Sequence, residues 1–113
     1  MEIPQRKTDD VLILEPAGRM TIGEADYALK QAVTAAADDH VTKLLLNLSA
    51  VTYMDSAALG EMLASRQTMA KKGGSIRVCC LQPRVKTLLE ITGLLDALSV
   101  YTTEEEALAA FRG

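Results

Sequence analysis

Apolar and polar positions alternate between two kinds of pattern along the chain. "VLIL" (11–14) and "KLLLNLS" (43–49) are almost unbroken apolar runs, too short to be independent helices. Such runs suit strands covered on both faces, as in a parallel sheet flanked by helices. "SIRVCCL" (75–81) predicts a further strand and "LSVY" (98–101) a short last one. "EIPQRKTDD", ahead of the first run, predicts an edge strand, because Pro4 suits an edge and Asp9-Asp10 suits a turn. Pro16 and Gly18 are expected to end the run that begins at Val11.

Helical spacing fills the intervals. Thr21 and Glu24 form the T-x-x-E pattern of a capping box, which predicts a helix from about Ile22 with Ile22, Ala25, Leu29, Val33 and Ala36 facing inward. The polar "DDH" closes it. A second helix follows "VTYMDSA", carrying Leu59, Met62, Leu63, Met69 and Ala70 as one stripe. It ends at Lys71-Lys72 and Gly73-Gly74, since cations and then glycine are favoured at a helix C-terminus. Pro83 fits the first turn of a third helix, with Val85, Leu88, Leu89 and Thr92 on one side and Gly93 as its stop. Thr103 and Glu106 repeat the capping-box pattern, with Ala107, Leu108 and Phe111 inward from a terminal helix. The order β-β-α-β-α-β-α-(β)-α predicts one α/β domain over residues 1–113. Its sheet is mixed, about four to five strands with an antiparallel N-terminal edge, and about four helices pack on it.

The totals narrow the function. A chain of 113 residues is long enough to bury one core without metal or disulfides. Net charge is −3, with twelve scattered Lys and Arg, one Phe, three Tyr and no Trp, so direct nucleic-acid binding is disfavoured. No apolar run reaches the roughly 18 residues that span a bilayer. Together with plain, unpaired thiols at Cys79 and Cys80, this predicts a soluble cytoplasmic protein that does not engage the membrane.

Little in the chain reads as catalytic or metal-binding. The only histidine, His40, sits in polar "ADDHVT" and reads as part of a solvated loop or helix end. Neither G-x-x-x-x-G-K-[ST] nor G-x-G-x-x-G occurs, "KKGG" reads as a helix stop, and "TTEEEA" as a capped helix start. No cofactor, metal ligand set or catalytic residue is predicted. Asp55-Ser56 stands apart. It follows a buried strand and opens a helix at the carboxyl end of the sheet, where open α/β folds place their sites. Both residues are also good N-caps, which alone would explain the pair.

From "LLLNLSAVTYMDSAALGEML" through "KKGGSI", "VKTLLEITGL" and "EEEAL", with "EPAGRMT" upstream, nearly the whole chain resembles a STAS domain of the anti-sigma factor antagonist family. That resemblance implies a phospho-switch. The unphosphorylated antagonist binds an anti-sigma factor, often a serine kinase, and frees the sigma factor. The kinase phosphorylates the serine after the aspartate, here Ser56, and a PP2C-type phosphatase reverses the step. Met54, Asp55, Ser56, Ala57, Ala58 and Gly60 are then the expected partner-binding residues. The family motif is close to D-S-[ST]-G-L-G, whereas this chain has D-S-A-A-L-G. Ala57 removes a second hydroxyl, leaving Thr52 as the other local acceptor, and Ala58 adds a methyl where a partner is expected to approach. Asp55 is expected either to cap the helix or to orient the Ser56 hydroxyl. Two alternatives stand beside the antagonist: a STAS subunit of a lipid-transport ABC complex, and a small enzyme or carrier using a pocket above the sheet. The "LLEITGL" and "EEEAL" segments favour the antagonist over the ABC subunit, and the second alternative needs a polar cluster that the sequence lacks.

Overall fold

The apolar runs form the middle of a five-stranded sheet. A computed structural model describes residues 3–112. Its first strands are β1 (Gln5–Thr8), β2 (Val11–Leu14) and β3 (Ala17–Met20), followed by helix α1 (Glu24–Asp38). Next come β4 (Lys43–Asn47), β5 (Ala50–Met54) and α2 (Ser56–Lys71). The chain continues through β6 (Ser75–Cys79), α3 (Pro83–Ile91), β7 (Val100–Tyr101) and α4 (Glu104–Arg112). The main sheet has the order β1-β2-β4-β6-β7, with β1 antiparallel to β2 and the other pairs parallel. This is the predicted mixed sheet with an antiparallel N-terminal edge and four helices.

Both faces of β2 and β4 are covered, which is why their sequences do not alternate. Leu12, Leu14, Leu44 and Leu46 point into the larger core with Leu29 and Val33 of α1, Met62 and Met69 of α2, and Val85 and Leu89 of α3. Val11, Ile13 and Leu45 point the other way, onto Ala107 and Phe111 of α4. Cys79 is buried on the α4 side and Cys80 is half-buried; both thiols are free. His40 is exposed at the end of α1, in the left-handed region at φ 62°.

Two strands were not anticipated. β3 and β5 pair in parallel as a separate two-stranded sheet, so Pro16 and Gly18 do not end the extended chain. Gly18, at φ +81°, sits where the register of that pair shifts. Consequently β5 lies between central β4 and α2, and Asp55-Ser56 follows the small sheet rather than the main one.

Three local expectations change. The Thr21–Glu24 box does not form: α1 starts at Glu24 behind Gly23, with no side-chain cap. Ile22 is 76% exposed instead of inward, because its amide is bound by Asp55. In α2 the buried line is Ala58, Leu59, Met62, Ser65 and Met69, while Ala70 is exposed. The other box does form, the Thr103 hydroxyl accepting from the Glu106 amide at 3.1 Å. Gly74 is required for close approach: a Cβ there would lie 2.9 Å from the Thr42 carbonyl oxygen.

Candidate functional site

The site is a junction of two turns. Met20 ends β3, Met54 ends β5, and the two are paired in register. The Asp55 amide donates to the Met20 carbonyl at 3.2 Å, so the chain leaves the small sheet already tied to its neighbour. Asp55 is extended, at φ −108° and ψ −178°, as an N-cap must be. Its Oδ1 accepts from the Ala58 amide at 3.1 Å and its Oδ2 from the Ile22 amide at 2.8 Å. Those amides, Ile22 first and Ala58 second, hold the Asp55 carboxyl below its ordinary value.

Asp55 is therefore the cap of α2, and the Ser56 hydroxyl is left free. Ser56 is the first residue of α2, is exposed, and has no hydrogen-bond partner for its hydroxyl among the described residues. Gly60 lies one turn further on the same helix, exposed, with nothing within 4 Å of a built Cβ. Ala57 is half-buried. Met54 and Ala58 are another matter. They are 2% and 0% exposed and belong to the larger core, so their side chains are closed to a docking partner. The Ala58 methyl, expected where a partner approaches, fills the interior instead.

The surroundings add residues that the sequence did not single out. Ile22 is exposed beside the cap, held by a bond 33 residues away in sequence. The only local signal, an isoleucine between Thr21 and Gly23, looked like part of a helix. The Arg19 guanidinium stacks 4.4 Å from the Tyr53 ring centre on the small sheet. Between α1 and α2, burial pushes the Glu61 carboxyl above its ordinary value, while Lys30 pulls it down and Asp26 pushes it up. The acidic start of α4 turns inward at Glu104, which accepts from Asn47 Nδ2 at 2.9 Å and pairs with Arg6. Arg6 also donates to Glu15 at 2.8 Å. Among the described residues no helix is long and apolar enough to cross a membrane.

A family model of the STAS domain matches residues 2–107. The chain belongs to the STAS domain family. Named relatives of this STAS domain include the anti-sigma F factor antagonist of Paenibacillus polymyxa. It is 29% identical over 108 residues, covering 96% of this chain and 92% of the relative. The crystal structure of an anti-sigma factor antagonist from Mycobacterium paratuberculosis is 28% identical. It superposes with a TM-score of 0.84 over 98% of this chain and 93% of that one. The Bacillus protein SpoIIAA in its phosphorylated form shares the fold, at 18% identity and a TM-score of 0.71 over 96% of this chain and 98% of that one.

Proposed function

We propose that this STAS domain is an anti-sigma factor antagonist of a partner-switching module. Unphosphorylated, it binds an anti-sigma factor that is a serine kinase and so releases a sigma factor. Phosphorylation of Ser56 switches it off, and a PP2C-type phosphatase restores it. The chain acts as binder and substrate rather than catalyst, in the cytoplasm with ATP and its kinase. The observation that carries this is the Ser56 hydroxyl, exposed and unbonded at the start of α2 while Asp55 supplies the cap. A kinase reaches that hydroxyl without dismantling the helix.

The same geometry supports a switch that leaves the fold intact. A phosphate on Ser56 adds about −1.5 to −2 charges and three acceptor oxygens. At a helix N-terminus free amides and the dipole stabilise that charge. Beneath a docked partner the charge has no water, and an unpaired buried charge there disfavours the complex by several kcal/mol. About 1.4 kcal/mol is one decade of affinity, so binding changes by orders of magnitude. Calorimetric titration of the serine-kinase anti-sigma factors of its own genome tests this. Wild type is expected to bind one of them and Ser56→Asp to bind at least a hundredfold more weakly, with unchanged circular dichroism. Equal binding by both, or loss of structure in Ser56→Asp, rejects the proposal.

A further inference from the structure

The Asp55 carboxylate makes two bonds, and the cap of α2 needs only one. The second, to the Ile22 amide, joins the turn before α1 to the turn before α2. A single exposed isoleucine needs no explanation by itself. Ile22 differs in that the residue immediately before Ser56 fixes its backbone and holds it out of the core. The two turns are also linked through the backbone, Asp55 N–H to Met20 carbonyl. The exposed Ile22 is thus tied through its amide to the residue that directly precedes the exposed Ser56. Asp26 and Lys30 on α1 lie within electrostatic reach of Glu61 on α2, whose carboxyl is raised by burial first, pulled down by Lys30 and pushed up less by Asp26.

We propose that Ile22 is an apolar anchor for the anti-sigma factor, positioned by the second oxygen of Asp55, and that the partner offers an apolar socket flanked by Lys or Arg. This rests on the function proposed above. Asp26 and Glu61 carry two negative charges against the single positive charge of Lys30, and that excess selects the cationic flank, while an aliphatic side chain without a polar tip selects the apolar socket. Asp55 acts as a positioning residue: it meets the partner through Ile22, not through its own carboxylate, whose oxygens are occupied.

The test uses the full chain and the serine-kinase anti-sigma factors of its own genome, with affinity, association rate and self-association measured. Ile22→Ala is expected to weaken binding about tenfold through faster dissociation, as removal of most of one buried aliphatic side chain implies. Its melting temperature stays the same, because Ile22 is exposed. Asp55→Asn keeps one acceptor for the helix cap and is expected to lose a similar factor. Ile22→Ala in the Asp55→Asn background then adds little, because both act through one contact. Asp26→Lys slows association and flattens its salt dependence. Wild-type affinity in Ile22→Ala, or fully additive losses in the double variant, overturns the anchor while Ser56→Asp still reports on the function. Salt-independent association overturns the cationic flank. Self-association lost in Ile22→Ala assigns the anchor to a second copy and overturns the partner named here. A wild-type chain that binds none of the kinases overturns function and anchor together.

Discussion

Ala58→Gly restores the residue usual for the family motif, and the structure assigns its effect to stability rather than to recognition. The Ala58 side chain is 0% exposed, at the third position of α2, in contact with the larger core. Removing one buried methyl forfeits about 0.8 kcal/mol of transfer free energy. Glycine in a helix interior is less favourable than alanine by about 1 kcal/mol, and only part of that applies in a first turn. The loss is expected to be about 1.5 kcal/mol. With an unfolding entropy of about 2.1 cal/mol/K per residue, this lowers the melting temperature by about 6 °C. Thermal and urea unfolding measure the loss directly, and the urea slope m is expected to stay constant. Since the methyl faces inward, kinase binding and the rate of Ser56 phosphorylation are expected to change less than twofold. An unchanged melting temperature with a large change in kinase affinity refutes the placement of Ala58 in the core.

Other perturbations follow from the same packing. Gly74→Ala drives a Cβ to 2.9 Å from the Thr42 carbonyl oxygen and 3.0 Å from its Cα, both backbone, so a loss of about 1–3 kcal/mol is expected in urea unfolding. Leu45→Ala opens a cavity behind α4, where Leu45 is 0% exposed, and is expected to destabilise by about 2–5 kcal/mol without altering kinase binding. Burial pushes the Glu104 carboxyl up, but its bonds to Asn47 and Arg6 outweigh this and leave it below its ordinary value. A depressed carboxyl contributes stability that is present above its unfolded value and lost as pH falls through the folded value. Melting from pH 6 to pH 3 should therefore fall less steeply for Glu104→Gln than for wild type, and identical slopes would contradict the Arg6–Glu104–Asn47 network.

What the sequence revealed depended on the distance over which each feature is decided. β2 and β4 were legible because helices cover both faces, which forces continuous apolar runs. α4 was legible because Thr103 and Glu106 cap it locally. β3 and β5 escaped notice because they pair only with each other and bury little: Met20 in one, Val51 and Met54 in the other. Their "AGRM" and "AVTYM" carry no clean alternation. The start of α1 was misplaced for a long-range reason: a charged carboxylate from Asp55 takes the Ile22 amide, and the helix begins two residues later, at Glu24. At the site, Asp55 and Ser56 were visible because capping is local. The burial of Met54 and Ala58 and the exposure of Ile22 follow from the packing of α1, α2 and the small sheet, which the spacing of residues does not encode.

Mass-spectrometric mapping of phosphate after incubation with the cognate anti-sigma factor and ATP decides whether Ser56 is the switch residue. One phosphate per chain is expected, on Ser56, with none on the exposed neighbour Thr52 and none at all in Ser56→Ala. Phosphate on Thr52 or elsewhere, or full phosphorylation of Ser56→Ala, would contradict it.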